Sequence, residues 1–368
     1  MKLTILQQDF LPALSAAFRS CGVRSTLPVL ANILLSAQDN KLKVSATNLE
    51  VGVIKTVNAK VGLEGEITIP ARTLVEIVSS LDGEISLEVE GDQLSISTTK
   101  FSAKLAGIPA SEFPAIPLSE DAGILIDAKT LSLSLPKIAF AAAADEGRPI
   151  LTGVLTEVKK DALEFIATDG FRLAHQKSKI ESKDLKPLQA LIPKRTLDEV
   201  VRLIAEEDGV EKVGIAISEN QNQIIFTINE TKLSSRLIEG QFPSWEKTIP
   251  HESINKTVVD RAELLKGLKL ASVFAKDSAN IVKLTAKTNA ITLASEAKEL
   301  GGQETKIEAK STGEEVVVAF NNKFLIDALS SCTSAQVSIE FSGNLSAVLI
   351  RPLEEEGLEY IVIPVRLN

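Results

Sequence analysis

Cysteine, histidine and aromatic residues are scarce in this chain of 368 residues, and each shortage excludes a kind of site. Its two cysteines, Cys21 and Cys332, stand far apart in apolar helical patterns, which is typical of buried free thiols in a reducing compartment. Two histidines, His175 and His251, are too few for a histidine-rich metal centre, and no paired cysteine or histidine spacing for zinc occurs. We therefore expect no metal and no other cofactor, and aliphatic rather than aromatic cores.

Long apolar segments are missing as well. The first ten residues, MKLTILQQDF, carry one lysine and a short apolar run broken by Gln7, which is not the pattern of a signal peptide. The apolar run at 138–144, IAFAAAA, is far too short to span a bilayer. These features predict a soluble cytoplasmic protein.

Motifs of nucleotide binding and of catalysis are absent. Neither G-x-x-x-x-G-K-[ST] nor G-x-G-x-x-G occurs. Three Ser-x-x-Lys matches, at 97–100, 134–137 and 244–247, lack companion motifs and indicate chance. Asp169, in ATDGFRLA (167–174), has no obvious catalytic partner, so an aspartate that stabilises a turn is the favoured interpretation. We predict a protein that is not an enzyme; the alternative is a multidomain hydrolase or transferase with its site at this stretch.

Positive charge is not in excess, since the net charge is −9. A protein that coats DNA neutralises phosphates with clustered Lys and Arg, so the overall composition argues against that class. DNA binding remains open for a protein whose basic residues are segregated onto one surface. Helical patterns, together nearly neutral and thus less acidic than the rest, are found at 9–24, 71–82, 127–148, 193–208, 260–277 and 321–333.

The chain does contain a threefold repeat. The stretches ITIPARTLVEIVSSLDG (67–83), ALIPKRTLDEVVRLIAE (190–206) and VVVAFNNKFLIDALSSC (316–332) each resemble a short strand, a break and an amphipathic helix. Two alternating strands around a polar turn follow each of them. A second set of helices, beginning near 7, 128 and 260, is likewise followed by strand pairs. The sequence thus predicts six helix-plus-sheet units, as a duplication inside a triplication.

This repeat predicts an α+β chain of three similar domains, which we place at 1–119, 120–250 and 251–368. One unit cannot bury both faces of its sheet, so two units form each domain. Strands at the ends of a domain keep unpaired backbone groups, which pairing between domains satisfies. Two such chains joined head to tail would close into a ring without free edges.

The stretch ATDGFRLA aligns with ATNLEVGV (46–53) and ASEAKELG (294–301) in the other repeats. All three positions join two strands, but only the middle copy carries Gly-Phe-Arg-Leu. A turn needed only for the fold could look alike in all three copies. This difference favours a functional role for the middle copy, beside the simpler interpretation of a plain turn.

Along its whole length the chain resembles the bacterial DNA polymerase III beta subunit, the sliding clamp. The resemblance is carried by MKLTILQQDF, RSTLPVLANILL (24–35), ATDGFRLA, FPSWEKTIP (242–250) and the terminal YIVIPVRLN. It implies a ring of two three-domain chains that encircles duplex DNA without sequence preference, next to the nucleoid. Such a processivity factor tethers the replicative polymerase, clamp loader subunits, and other polymerases and repair proteins. Two departures stand out: Phe171 stands where the family often has His, and Asn368 extends past the usual Arg-Leu ending, where we expect little perturbation.

The resemblance implies a pocket for short apolar linear motifs where the middle and third domains meet. Aliphatic walls would hold Leu or Phe anchors, Gly170 would let a peptide approach closely, and Arg172 and Arg366 could donate to peptide carbonyls. The alternative is that these residues only close the sheet of the third domain. The matching positions are Arg148, Leu151, Thr168, Gly170, Phe171, Arg172, Leu173, Pro243, Thr248, Ile361, Ile363, Pro364, Val365 and Arg366.

In this family the helices face DNA, and the first and third domains meet across chains. For the dimer contact we predict Phe101, in the edge segment 100–107, with Val273 and Phe274 of the segment 270–277; ordinary packing within a domain is the alternative. An ordinary solvated helix charge is the alternative for every DNA candidate. The DNA candidates are Arg24, Arg72, Lys137, Lys194, Arg195, Arg202, Lys266 and Lys269, with Arg19 and Lys323 as further basic helix residues.

Overall fold

The computed structural model describes residues 1–22, 27–119, 123–180, 187–218, 222–276, 279–297 and 301–366. In each third of the chain these residues follow the predicted order of a strand, a helix, strands, a second helix and strands. The first third consists of β1 (Lys2–Leu6), α1 (Gln7–Phe18), β2 (Asn32–Gln38), β3 (Lys41–Thr47), β4 (Val51–Asn58), β5 (Lys60–Leu63), β6 (Gly65–Pro70), α2 (Ala71–Ser79), β7 (Glu84–Glu90), β8 (Gln93–Ser97) and β9 (Ser102–Ala106).

The other two thirds repeat this order, and their described residues contain no counterpart of β5. The middle third consists of β10 (Ile124–Asp127), α3 (Ala128–Ala139), β11 (Gly153–Val158), β12 (Ala162–Thr168), β13 (Arg172–Lys179), β14 (Leu188–Pro193), α4 (Lys194–Glu206), β15 (Lys212–Ser218), β16 (Gln223–Ile228) and β17 (Thr231–Arg236). The last third consists of β18 (Asn255–Asp260), α5 (Arg261–Ala275), β19 (Ile281–Lys287), β20 (Ala290–Ala297), β21 (Gly301–Gly313), β22 (Val316–Asn321), α6 (Asn322–Ser331), β23 (Gln336–Phe341), β24 (Val348–Pro352) and β25 (Leu358–Val362). The α+β class predicted from the sequence is confirmed.

Two helices of the last third begin at side-chain caps. The Asp260 carboxylate accepts a hydrogen bond from the amide of Glu263 at the start of α5, and the Asn321 side chain accepts one from the amide of Lys323 at the start of α6. Such caps satisfy amides that have no partner inside the helix.

Helix α3 is shorter than its sequence pattern, since it ends at Ala139 and not near 148. The alanines that follow are drawn into the core: Ala141 and Ala143 are buried, and the Ala143 amide donates to the Leu151 carbonyl at 2.8 Å. Tertiary packing thus outweighs the high helix propensity of alanine here.

Both cysteines lie just beyond a helix and not within one, which corrects the prediction from the sequence. Cys21 follows α1, Cys332 follows α6, and both are buried free thiols as expected. Burial raises the pKa of Cys21 to about 12 and that of Cys332 to about 11. A thiol that stays protonated is a poor nucleophile, so these residues act as small apolar groups.

Backbone contacts divide the chain into two compact units. The first comprises Met1–Lys129 and Glu199–Leu237, and contains a five-stranded sheet (β5-β1-β7-β8-β9) and an eight-stranded sheet (β10-β15-β16-β17-β4-β3-β2-β6). Helices α1 and α2 contact each other there, and their buried faces share an aliphatic core with Leu35, Val44 and Leu87. The second comprises Thr130–Asp198 and Ile238–Asn368, with a twelve-stranded sheet (β14-β11-β12-β13-β25-β24-β23-β18-β21-β20-β19-β22).

Each unit contains one joint between repeats, and the two joints follow the same rule. In the first unit β4 pairs antiparallel with β17, through Val51–Lys55 and Thr231–Ser235. In the second unit β13 pairs antiparallel with β25, through Arg172–Gln176 and Leu358–Val362. In both, the third strand after the first helix of one repeat pairs with the last strand of the next repeat.

Two strands that this rule would also join remain at sheet edges. Strand β9 pairs only with β8, and the 301–308 part of β21 pairs with β20 on one side while its other side has no strand among the described residues. Unpaired backbone groups at such edges favour pairing with another chain.

Candidate functional site

The β12–β13 turn in ATDGFRLA is held by its own side chains. The Thr168 hydroxyl donates to the Arg172 carbonyl at 2.6 Å and accepts from the Gly170 amide at 3.0 Å. One oxygen of Asp169 accepts from the amides of Phe171 and Arg172 at 2.9 and 3.0 Å. Its other oxygen accepts from Arg172 Nε at 3.1 Å. Asp169 therefore stabilises the turn, as expected, and both of its carboxylate oxygens accept hydrogen bonds within the turn.

The equivalent β3–β4 turn of the first repeat has the same hydrogen bonds. Thr47 Oγ1 donates to the Val51 carbonyl at 2.9 Å and accepts from the Leu49 amide at 3.0 Å, while Asn48 Oδ1 accepts from the amides of Glu50 and Val51. The backbone of the turn is thus common to two repeats. The distinguishing features of the middle copy are the missing side chain at Gly170 and the side chains of Phe171 and Arg172, so a function specific to this copy depends on them.

Arg172 is enclosed by groups from both repeats that meet in the second unit. Its guanidinium lies between the rings of Phe140 and Phe324, with its central carbon 5.2 and 4.9 Å from the ring centroids. It donates to Asp327 at 2.5 Å and to the Phe140 carbonyl at 3.1 Å, in addition to Asp169. Arg172 was expected to donate to a peptide; in this structure its bonds fix the turn to α6.

Phe171 and Phe324 form an aromatic surface next to Arg172. The rings of Phe171 and Phe324 are stacked, with centroids 6.3 Å apart, and Phe171 is 55% exposed. The exposed Arg148 lies on the Phe171 ring at 5.9 Å. A side chain at Gly170 would place its Cβ 3.0 Å from Arg148 Nη1, so glycine allows Arg148 to cross the turn.

The C-terminal segment runs past this turn. Beyond β25 the Ile363 amide donates to the Phe171 carbonyl at 2.9 Å, and the Val365 amide donates to the Ala319 carbonyl of β22 at 2.8 Å. Ile363, Pro364 and Val365 are half-buried and Arg366 is exposed. Asn368, expected to have little effect, lies outside the described residues.

An apolar cluster packs against the C-terminal segment and the β12–β13 turn. It contains two predicted residues, Leu173 and Ile361, which are almost completely buried and therefore form the floor. Among the other predicted residues, Leu151 is buried, Thr248 is half-buried and Pro243 is exposed. Cluster members that sequence reasoning missed are Leu155, Ile166, Leu191, Trp245 and Leu349, with Ile150, Ile238, Phe242, Ile249 and Ala347 packed against them.

A length difference between the repeats could have revealed Trp245. The middle copy reads FPSWEKTIP where the first reads FPAIP, and the four extra residues, Trp245–Thr248, form a 3-10 helix. They place the one tryptophan of the chain in the same apolar cluster as Leu173.

His175, on β13, lies beneath the indole of Trp245, with ring centroids 4.5 Å apart. Its ring nitrogens lie 3.6 Å from a Glu164 oxygen and 3.5 Å from a Glu359 oxygen. The imidazole, and after it Arg351, lowers the pKa of Glu359 in spite of burial. Glu164, His175, Glu359 and Arg351 form a row of polar contacts that crosses the joint from β12 to β24, so the joint is held by side chains as well as by strand pairing.

The predicted DNA contacts have unequal surroundings. Five of them lie at exposed positions on helices: Arg72, Arg195, Arg202, Lys266 and Lys269. Lys194 forms a salt bridge with Asp198 at 3.4 Å, and Lys137 contacts Glu355 with only 17% of its side chain exposed. Arg24 lies outside the described residues.

Arg19 pairs with Glu199 at 2.8 Å and with Glu206 at 2.7 Å. Burial opposes its charge, but the two carboxylates outweigh burial and raise the pKa of Arg19. A guanidinium that is already bound to two carboxylates is less available to a phosphate.

Of the predicted dimer residues, Val273 is 56% exposed on α5, whereas Phe274 and Phe101 are half-buried. Leu270, one turn before Phe274, is also exposed, which adds apolar surface to this helix.

Metal-ligating clusters of three or more His, Cys, Asp or Glu side chains are absent from the described part of the chain. Within the same residues, none of the helices has the length and apolar character needed to cross a membrane.

Comparisons with known proteins match the whole chain. Family models of the DNA polymerase III beta subunit match in order: the N-terminal domain at 1–117, the central domain at 125–244 and the C-terminal domain at 246–366. A beta sliding clamp of Synechocystis is 34% identical over 391 residues, which cover 100% of both chains. Crystal structures of sliding clamps from Bacillus subtilis (29% identity, TM-score 0.95) and, bound to griselimycin, from Pseudomonas aeruginosa (28%, 0.94) also match over 100% of each chain.

Proposed function

The chain belongs to the DNA polymerase III beta subunit family and is a sliding clamp without catalytic activity, and we propose that it holds its partners in a groove around the β12–β13 turn, formed by Arg148, Phe171 and residues 363–366. The observation that carries this proposal is the difference between two turns with the same backbone. Only the middle copy combines the exposed Phe171, the crossing Arg148 and the adjacent C-terminal segment. In our proposal this groove takes short apolar segments of the replicative polymerase, the clamp loader, and other polymerases and repair proteins.

The organisation we propose is three domains, at 1–119, 120–250 and 251–368. The segments matched by the three family models begin and end within a few residues of these bounds. The protein would act in the cytoplasm, on nucleoid DNA.

A ring of two chains is supported by the two joints and the two free edges. Strands β4 and β17, and strands β13 and β25, are paired within the chain, whereas β9 and the first part of β21 have no such partner among the described residues. In the dimer, β9 of each chain would pair with β21 of the other chain. This pairing follows the same rule as the two joints within the chain, and it would occur twice in the ring. Closed head-to-tail pairing leaves neither β9 nor the first part of β21 unpaired.

Weak contact with DNA is sufficient for a protein that encircles it. Exposed basic side chains on α2, α4 and α5 would contact phosphates without reading sequence. The net charge of −9 is compatible with this role because a topological tether needs no tight electrostatic binding. Since the chain has no nucleotide-binding motif, we expect an ATP-driven loader to open the ring.

The function is tested by retention on DNA circles. The protein is loaded with a bacterial clamp loader onto nicked circular DNA, separated from free protein by gel filtration, and the circle is then cut once. We expect a dimer that stays on the circle and leaves after the cut, because only the closed path holds it. Equal loss from intact and cut circles, or a monomer in the free state, would contradict the proposal.

A further inference from the structure

His175 is a buried histidine that lies between carboxylates of two repeats. It is on β13 with 8% of its surface exposed, and neither ring nitrogen has a hydrogen-bond partner among the described residues. Nε2 lies 3.6 Å from a Glu164 oxygen on β12, and Nδ1 lies 3.5 Å from an oxygen of Glu359, its paired residue on β25 of the third repeat. Buried polar atoms without a partner are rare in folded proteins, so these two close contacts require an explanation.

Each carboxylate uses one oxygen for cations and presents the other to the imidazole. Glu164 Oε1 contacts Lys159 and Lys177, both at 3.3 Å, whereas Oε2 faces the imidazole. Glu359 Oε1 accepts from Arg351 Nε at 2.9 Å, whereas Oε2 faces the imidazole. The three cations therefore contact the oxygens that do not face the ring, and the charged atoms in contact with the ring nitrogens are both negative.

Both carboxylates keep their charge at neutral pH. Burial opposes the charge of Glu164, but Lys159 and Lys177 outweigh burial and lower its pKa. The pKa of Glu359 is lowered as well, first by the imidazole and then by Arg351. Histidine is the side chain that ordinarily changes its charge between about pH 5 and 8, so the imidazole is the group of this cluster that can respond to pH near neutrality.

We propose that His175 is a proton-dependent contact across the joint of β13 and β25, and that it holds the middle and third repeats together more firmly when the imidazole is charged. A neutral imidazole has one N–H group and one lone pair, so it can donate to only one carboxylate while its lone pair faces the other. An imidazolium has two N–H groups and can donate to both. Hydrogen bonds between charged groups are the stronger ones, so the joint gains when the proton is bound.

This contact gives the chain a response to pH that is separate from the proposed partner groove. Arg148 and Phe171 of the groove take no part in the row of contacts from Glu164 to Arg351. Loss of the proton leaves the strand pairing of the joint in place and removes one of the side-chain contacts that cross it.

Trp245, the one tryptophan of the chain, provides the first test, because its indole lies 4.5 Å from the imidazole of His175. An imidazolium quenches indole emission more than a neutral imidazole does, since it accepts an electron from the excited ring more readily. Emission of the full-length protein is recorded between about pH 5.5 and 9. We expect emission to rise with pH in one step, which should be missing in His175→Gln.

Two further variants assign the step. Glu359→Gln removes the negative charge that favours the imidazolium and should shift the step to lower pH. His251→Gln alters the other histidine of the chain, which is exposed, and should leave the step unchanged. A constant emission in the unaltered protein, a step that persists in His175→Gln, or a step that Glu359→Gln does not shift would overturn the inference.

The second test follows the joint itself, through hydrogen exchange of the amides of Leu358–Val362 on β25. The unaltered protein and His175→Gln are compared at the same pH, so that the intrinsic pH dependence of exchange cancels. At about pH 6 we expect exchange to be about two- to ten-fold slower in the unaltered protein, and at about pH 8.5 the ratio should approach one. An equal ratio at both pH values would mean that His175 acts by packing alone and would overturn the inference.

Discussion

Gly170 is the residue of the β12–β13 turn at which both the backbone conformation and a neighbouring side chain disfavour an added Cβ. Its φ is +90°, and an added Cβ would lie 3.0 Å from Arg148 Nη1. We expect Gly170→Ala to lower the free energy of unfolding by about 1–2 kcal/mol and to weaken peptide binding, because Arg148 must move. Urea unfolding and fluorescence polarisation measure the two effects.

Gly83→Ala is the matched control for this prediction. Gly83 has a similar φ of +74°, but nothing lies within 4 Å of its added Cβ. It should reproduce the backbone strain and leave peptide binding unchanged. If Gly170→Ala binds peptide as well as Gly83→Ala does, the position of Arg148 is not important for the groove.

Glu355 connects the β24–β25 turn to the segment that follows α6. Its carboxylate accepts from the amides of Thr333 and Ser334 at 2.6 and 2.8 Å and contacts Lys137. Burial opposes the charge of Glu355, but Lys137 and the two amides lower its pKa below the usual range. The resulting stability is fully present above the pKa of the unfolded chain and is lost as the pH falls through the lowered value.

We therefore expect Glu355→Gln to cost about 1–3 kcal/mol at neutral pH. The difference from the unaltered protein should begin to shrink as the pH falls below about 4.3, the pKa of a glutamate in the unfolded chain, and should vanish once Glu355 of the folded protein is protonated as well. Urea unfolding between pH 3 and pH 8 measures this. Glu356→Gln, at a neighbouring glutamate whose side chain is 92% exposed, should have little effect at any pH. A cost for Glu355→Gln that is constant with pH would show that its charge is unimportant.

At the scale of elements, the C-terminal segment is the part of the groove that can be removed as a whole. Residues 364–368 follow the bond between Ile363 and Phe171, and their Val365 bonds to Ala319. We expect deletion of 364–368 to abolish peptide binding and to preserve the dimer, whose proposed contacts lie elsewhere. Fluorescence polarisation and light scattering measure both, with deletion of Asn368 alone as the control. Full-strength binding by a dimeric truncated protein would leave these residues with only the role of closing the sheet.

The edge strands β9 and β21, with the exposed apolar side chains of α5, are the elements we assign to the dimer. Replacing Val273 and Phe274 by Asp should give a soluble monomer, because two charges buried at such a contact have no partners. Analytical ultracentrifugation measures the mass. Leu133→Asp alters an equally exposed leucine on α3 and should remain dimeric. A dimer in the double variant would exclude α5 from the contact.

The order of strands and helices follows from the sequence because its periodicities are strong and occur six times. The end of α3 does not follow, since the buried Ala141 and Ala143 obey a tertiary contact that a helical pattern cannot show. The joints are likewise invisible, because strands some 180 residues apart pair through backbone groups that every residue has. Within the groove, the sequence indicates Phe171 and Arg172 by their difference from the other repeats. It does not show that Phe324 and Asp327, on α6, reach them.

At the scale of the whole molecule, the sum of many weak phosphate contacts determines how DNA affinity varies with salt. Arg24, a DNA contact predicted from the sequence that lies outside the described residues, is the residue on which we place one such contact. Arg24→Ala should weaken binding to primed DNA and flatten the plot of log affinity against log salt by about one unit of slope. Lys212→Ala, at an exposed lysine outside the proposed contacts, should leave the slope unchanged. An unchanged slope in Arg24→Ala would assign Arg24 a structural role.

The two joints also have a consequence for synthesis on the ribosome. Strand β4 emerges roughly 180 residues before its partner β17, and β13 emerges equally long before β25. At about 5–20 residues per second, each strand waits on the order of 10–40 s with an open edge. A nascent chain in this interval presents a template for aggregation, which chaperones have to cover. The strand pairing that joins the repeats therefore makes the unfinished chain prone to aggregation. A chain whose synthesis stops between residues 60 and 230 keeps the edge of β4 unpaired.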